Sequence, residues 1–253
     1  MKTSLFSTCF LCMRFHLFIL FAATLYFVSA KNASAQSSPY TFRAGDPYGT
    51  GKWYMGREIA HVMGHRAMDW LDRPERQQEE RSDKLIRNLK LEAGYTVADI
   101  GAGSGYHSFR MAAEADQGKI YAVDIQDEML REISARAAAR DVHNVFPVKG
   151  TATGFELPPG APPADRVLMV DVYHEFSHPK EMMESVKDIM HPEGLLYLVE
   201  YRLESKWVPI KKVHKMSEEQ AVKEMEAAGF TLVKNMGNLP WQHCMVFKLT
   251  DPR

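Results

Sequence analysis

The nine residues Val97-Ala98-Asp99-Ile100-Gly101-Ala102-Gly103-Ser104-Gly105 constrain this chain more than any other stretch. A short apolar run ends in three glycines at alternate positions. Val97 to Ile100 read as a buried strand, and Ser108 to Ala115 as the helix that follows. Glycines at a strand-to-helix turn let backbone approach a ligand closely, because no Cβ intervenes. The helix start then offers free N–H groups. A second apolar strand, Ile120-Tyr121-Ala122-Val123-Asp124, ends in a carboxylate 19 residues after Gly105. In nucleotide-binding βαβ units an acid at about that distance accepts hydrogen bonds from ribose hydroxyls. The two strand ends together predict a cradle for an adenosine.

The glycines are spaced G-x-G-x-G rather than the G-x-G-x-x-G of dinucleotide folds, and Asp99 stands two residues before the first of them. A carboxylate there suits a ligand carrying positive charge, not a pyrophosphate. S-adenosylmethionine (SAM) has a sulfonium, an ammonium and a ribose. On these residues the chain resembles the class I SAM-dependent methyltransferases. The likeness continues through Val123-Asp124-Ile125-Gln126-Asp127-Glu128-Met129-Leu130 and Asp165-Arg166-Val167-Leu168-Met169-Val170-Asp171, and covers roughly residues 85–249. It implies SAM as cofactor, held by Asp99, Gly101, Ala102, Gly103, Gly105, Asp124, Ile125 and Asp171. Many members of that family carry an acid after the glycine of the third strand's loop; this chain has Thr151 after Gly150.

Strands alternating with helices independently imply a parallel α/β sheet. Asp127 to Arg140, Pro179 to Met190 and Ser217 to Ala228 read as helices. Asn144 to Val148, Arg166 to Val170 and Leu195 to Glu200 read as strands. Thr231 to Asn235 and Met245 to Leu249 read as a closing pair. The resemblance makes this a Rossmann-like, mostly parallel seven-stranded sheet with helices on both faces and an antiparallel last strand. The methyltransferase domain is expected over 93–253.

The N-terminal part differs in kind. Lys2 and Arg14 precede the apolar run Leu17 to Ala30, and Ala33-Ser34-Ala35 is a small-x-small exit site. Residues 1–35 therefore read as a secretory signal peptide. The expected location is periplasmic or extracellular, with a membrane anchored, uncleaved leader as the alternative. Residues 36–52, rich in Ser, Pro, Gly and Thr, read as a linker. Trp53 to Leu71 reads as a helix, with Ile59, Val62, Met63, Ala67, Trp70 and Leu71 on one face. Glu75 to Leu89 reads as a second, charged helix, so 53–92 forms a helical extension. Setting aside the leader's Lys2, Arg14 and Lys31 leaves 28 basic against 32 acidic residues, a net −4. That balance disfavours a nucleic-acid partner, which usually meets a basic face.

The chemistry is expected beyond the carboxyl ends of the strands. There lie Tyr173, His174 and Glu175 after the fourth strand, and Glu200 at the end of the fifth. Methyl transfer mainly requires alignment of nucleophile, carbon and sulfur. A base is needed where the acceptor arrives protonated, and His174 has a suitable pKa, with Glu175 to orient or replace it. Val172 lies between Asp171 and Tyr173 with no prolines, unlike the D-P-P-Y motif of nucleic-acid amino-methyltransferases. A small-molecule acceptor is the expectation. Lys211, Lys212, His214 and Lys215 offer charge to an anionic acceptor or form a solvated face, and Trp241-Gln242-His243 a pocket wall. His61 and His65 have metal-ligand spacing without a third ligand in view, so no metal is expected. Two other readings stay open: an exported binding protein on a methyltransferase scaffold, and an NAD(P)-dependent oxidoreductase.

Overall fold

The computed structural model describes residues 38–252; the leader and the first residues of the linker lie outside them. Tyr40–Phe42 (β1), Gly49–Tyr54 (β2) and Arg57–Ala60 (β3) form a three-stranded antiparallel sheet. The β2–β3 turn has two residues, Met55 and Gly56, with φ of 48° and 101°. Positive φ at both central positions is the turn geometry that follows strand twist. The buried Glu58 carboxylate accepts N–H bonds from Asp46 (2.7 Å) and Gly51 (3.0 Å). It fills the space that side chains at Gly45 and Gly49 would need.

This hairpin corrects two expectations. The described part of the linker carries strands, and the helix over Trp53 to Leu71 does not form. Of its apolar face only Ile59 is buried, against Tyr40 and Tyr54. The turn at Met55-Gly56 and the bonds to Glu58 outweigh a helical periodicity whose later members, Val62 and Trp70, stay exposed. Helical geometry is confined to a 3₁₀ turn, His65–Ala67, and the single turn Met68–Leu71 (α1). The charged helix is also two: Arg76–Glu80 (α2) and Ser82–Leu89 (α3), broken at Arg81 with φ of 54°.

The remainder alternates strand and helix. Thr96–Ile100 (β4), Ser108–Glu114 (α4), Lys119–Asp124 (β5), Asp127–Ala139 (α5) and Val145–Lys149 (β6) come first. Ala164–Val170 (β7), Pro179–Ile189 (α6), Met190–Tyr201 (β8), Glu218–Ala227 (α7), Phe230–Asn235 (β9) and Gln242–Leu249 (β10) complete the chain. The sheet order is β6-β5-β4-β7-β8-β10-β9, with β10 antiparallel to both neighbours and the other pairings parallel. This is the seven-stranded architecture expected. Local signals agree with it. Ser217 Oγ caps α7 by accepting the Gln220 N–H at 3.1 Å, and Gly229, with φ of 87°, ends it.

Both sheet faces are covered. Met182, Met183 and Val186 of α6 and Ala221 and Met225 of α7 pack on one. Leu85, Ile86 and Leu89 of α3, Phe109 and Met111 of α4 and Ile133 of α5 pack on the other. Burying a large aliphatic side chain contributes about 1.5–3 kcal/mol, so a strand like β4, buried at every position, is a rigid base for the loop it carries. The chain runs outward from β4 through β5 to β6, then returns to β7 on the other side of β4. That reversal opens a crevice at the carboxyl ends of β4, β5 and β7.

Candidate active site

A cavity of about 530 Å³ occupies that crevice, a size suited to a cofactor-sized ligand. Gly101 and Gly103 line it with φ of 73° and 55°. Side chains at these positions would run into Val172 and Leu71. Asp124, at the end of β5, holds the loop: its Oδ2 accepts the Gly103 N–H at 2.9 Å and its Oδ1 the Gln126 N–H at 2.8 Å. Burial raises the Asp124 pKa although these N–H bonds oppose it. Ile125, Gln126, Met129, Gly150 and Thr151 continue this half of the wall. Thr151 turns its hydroxyl to the Gly154 carbonyl at 2.8 Å.

The segment after the hairpin crosses the cavity and is pinned on both sides. The Met63 N–H donates to the Glu175 carboxylate (3.1 and 3.2 Å). The His65 N–H donates to Gln126 Oε1 at 2.7 Å, and Gln126 Nε2 returns a bond to the Met63 carbonyl at 3.0 Å. Leu71 then lies over Gly103, and Asp72 pairs with Arg136 (2.9 Å) and accepts from Ser104 Oγ (3.1 Å).

Beyond the glycine loop stands a buried polar cluster. Arg73 and Arg76 line the cavity and share Glu80, at 2.5 and 2.7 Å. Tyr201 donates to the same carboxylate at 2.9 Å. Asp171, with φ of 50°, is a non-glycine residue in the left-handed region, and such strain concentrates at functional sites. Gln242 Nε2 donates to its Oδ2 at 2.6 Å, while Oδ1 is buried with no partner among the described residues. Burial and the neighbouring Glu80 and Glu200 carboxylates hold the Asp171 pKa well above the usual range.

Opposite lies an imidazole–carboxylate cluster. His174 and Glu175 belong to a 3₁₀ turn, Tyr173–Glu175, after β7, and His214 to another, Lys212–His214. His174 Nδ1–H donates to the fully buried Glu200 at 2.5 Å. Its Nε2 faces His214 Nδ1 at 3.1 Å and Glu175 Oε1 at 3.9 Å, and His214 Nδ1 lies 3.6 Å from the same oxygen. Burial works against a charged His174, but Glu200 outweighs it and raises the pKa. Burial and the neighbouring His174 lower that of His214 to about 4. Burial raises Glu175 to about 7, against the opposing effects of His174 and the Met63 N–H. The turn is itself braced: Arg57 Nη1–H donates to the His174 carbonyl at 3.1 Å, and the same guanidinium pairs with Glu224 through two bonds of 2.8 and 2.9 Å.

Of the residues expected in the site, Gly101, Gly103, Asp124, Ile125, Asp171, His174 and Glu175 line the cavity. Four do not. Asp99 is buried beneath the loop and accepts the Ser108 O–H at 2.5 Å, tying α4 to β4; burial raises its pKa to about 6. Ala102 packs in the core between sheet and helices. Gly105 leaves room for Phe109 and Ile133. Tyr173 points the opposite way from His174, because successive residues of a tight turn fan out; its ring packs edge-on against Phe176 in the core. Of the basic run, Lys211 and His214 line the cavity, whereas the Lys215 ammonium turns inward onto the Ser205 and Val208 carbonyls. Trp241 packs against Tyr201 instead of walling the cavity. Met63, Leu71, Arg73, Arg76 and Gln126 were not anticipated. Gln126 was within reach, two residues past Asp124; the others come from a segment whose path the sequence did not reveal.

The Methyltransferase domain family matches residues 91–245, and the chain belongs to that family, with the class I SAM-dependent methyltransferase fold. Among curated relatives, it is 30% identical over 116 residues to a protein-L-isoaspartate O-methyltransferase of Rhodopseudomonas palustris (strain BisB5), a match covering 44% of this chain and 47% of that protein. It is equally 30% identical over 116 residues to a tRNA U34 carboxymethyltransferase of Pseudoalteromonas translucida (strain TAC 125), covering 46% and 35%. The chain thus spans less than half the length of these relatives. A SAM-dependent methyltransferase of Aquifex aeolicus has a similar structure, with a TM-score of 0.68 at 22% identity over 74% of this chain and 98% of that one.

Proposed function

We propose that this protein transfers a methyl group from SAM to a small-molecule acceptor. The observation that carries the reading is the cavity itself: glycine loop, Asp124, and an orphaned acceptor on Asp171, all on one wall. These residues fit the cofactor. Asp124 keeps lone pairs free for ribose hydroxyls, and the Gly101–Gly103 turn, packed so closely under Val172 and Leu71 that a Cβ would clash, presents backbone to the methionyl chain. Asp171 Oδ1 awaits a cationic donor such as an ammonium. Bound there, SAM supplies an electrophilic methyl on a sulfonium. His174 and Glu175 form the reacting end, where the acceptor's nucleophilic atom loses its proton. The strap from Met63 to Leu71 holds the two halves of the cavity together through Glu175 and Gln126.

A macromolecular acceptor, as named for the two curated relatives, is the competing reading. A mildly acidic chain and a cavity crossed by its own N-terminal segment support the small molecule. Incubation of the protein with labelled SAM and fractionated host extract tests this. Label entering the low-mass fraction is expected; label confined to RNA or protein rejects it. His174→Ala is expected to leave affinity for the demethylated cofactor, SAH, nearly unchanged and to lower transfer by roughly a hundredfold or more. Export is proposed on the leader's Lys2, Arg14, apolar run and Ala33-Ser34-Ala35. N-terminal sequencing from the native host should begin at Gln36, and an intact leader on cytosolic protein rejects it.

A further inference from the structure

We propose that His174 Nε2, His214 Nδ1 and a Glu175 carboxylate oxygen form a binding site for one divalent transition-metal ion of the zinc type. The three donor atoms converge from two separate turns on one point of the cavity wall, all within 4.8 Å of one another. An ion bound tetrahedrally at about 2.0–2.1 Å holds its ligands about 3.3–3.4 Å apart. The separations here are 3.1, 3.6 and 3.9 Å. A shift of about half an ångström in the Glu175 arm would seat the ion.

The surroundings are those of a ligand set. His174 Nδ1–H is committed to Glu200, so loss of the Nε2 proton on metal binding leaves the Nε2 lone pair facing the cavity, and His214 ligates through Nδ1 as its Nε2–H tautomer. A carboxylate behind a ligating imidazole, fixing its tautomer and raising its basicity, is the usual support of a bound metal. Glu175 is likewise held, by the Met63 N–H. A plain His174–His214 hydrogen bond would need neither the third donor nor its alignment with both ring nitrogens. Two imidazoles and one carboxylate leave the fourth position facing the cavity, the arrangement of catalytic rather than structural zinc.

The ion's role, though not its binding, rests on the methyl-transfer reading. An acceptor hydroxyl or amine occupying the fourth position has its pKa lowered and releases its proton to solvent. Its lone pair then forms the bond to the methyl carbon as the carbon–sulfur bond breaks, and that electron pair remains on sulfur.

Zinc chloride titrated into the chelator-treated protein, followed by calorimetry and by elemental analysis after dialysis, tests the site. SAH binding is measured on the same samples. One equivalent of zinc per chain is expected, with cobalt substitution giving the intense visible bands of a four-coordinate ion. His214→Ala and Glu175→Gln, each checked by circular dichroism, are expected to weaken zinc binding at least tenfold and to leave SAH binding intact. Glu200→Gln, which removes no ligand, is expected to weaken it by roughly ten- to hundredfold. Absence of saturable binding in protein that still binds SAH overturns the proposal and leaves the methyltransferase reading standing, with the cluster acting as a hydrogen-bonded base. Zinc binding that survives both His214→Ala and Glu175→Gln overturns it too, placing the ion elsewhere.

Discussion

Replacing Arg57 by Met should unfold the frame around His174. The Arg57 guanidinium joins β3 to α7 by two bonds to Glu224, whose side chain is entirely buried, and to the 3₁₀ turn by the His174 carbonyl. Burial opposes the charge on Arg57, but Glu224 outweighs it and raises the pKa further. The Arg57 guanidinium thus stays charged across any working pH. Arg57→Met strands the Glu224 carboxylate with Gln220 Nε2, at 2.8 Å, as a remaining neutral donor. Breaking one side of a buried ion pair costs about 3–5 kcal/mol. For a domain of this size that lowers the melting midpoint by roughly 6–20 °C. Adding Glu224→Leu to Arg57→Met removes the orphaned charge and should recover most of the loss. Urea unfolding followed by circular dichroism, on wild type, both single variants and the double variant, gives the coupling. A cost below about 1 kcal/mol for Arg57→Met, or purely additive single effects, would refute the claim that this pair locks the hairpin onto the turn that carries His174.

Gly101→Ala brings a Cβ into Val172 at a positive φ, and should weaken SAH binding at least about tenfold by calorimetry; unchanged affinity would mean the loop is not the cofactor's seat. Asp99→Asn should stabilise the protein at pH 7.5, because burial lifts the Asp99 pKa from 3.8 to about 6. A carboxyl with a raised folded pKa binds more protons folded than unfolded, so its penalty of up to about 3 kcal/mol applies above pH 6 and fades as pH falls towards 4. The advantage of the variant in thermal melts should shrink over that window, and a constant difference would contradict the burial argument.

The doubly wound sheet was legible because its central strands carry apolar runs, as in Val167 to Val170 of β7 and Leu195 to Val199 of β8, and because α7 has its own start at Ser217 and stop at Gly229. Asp124, the glycines lining the crevice, and His174 were legible because strand ends must face the crevice. What failed had physical causes. Ile59, Val62, Met63 and Trp70 satisfy a helical period, but two-residue turn chemistry at Met55-Gly56 and the Glu58 bonds decide the matter. Asp99 looked like a ligand because it adjoins the glycines; alternation along β4 instead turns it down onto Ser108. Tyr173 adjoins His174 in sequence but points into the core. Arg73 and Arg76 reach the cavity through long-range folding that no local pattern encodes.

Calorimetric titration of SAH into the purified protein tests the central claim most directly. One-to-one, saturable binding is predicted, weakened by about 1.5–3 kcal/mol in Asp124→Ala, which removes the carboxylate that holds Gly103 and that the proposed reading assigns to the ribose. Absence of binding by protein that circular dichroism shows to be folded, or affinity indifferent to Asp124→Ala, would contradict the account.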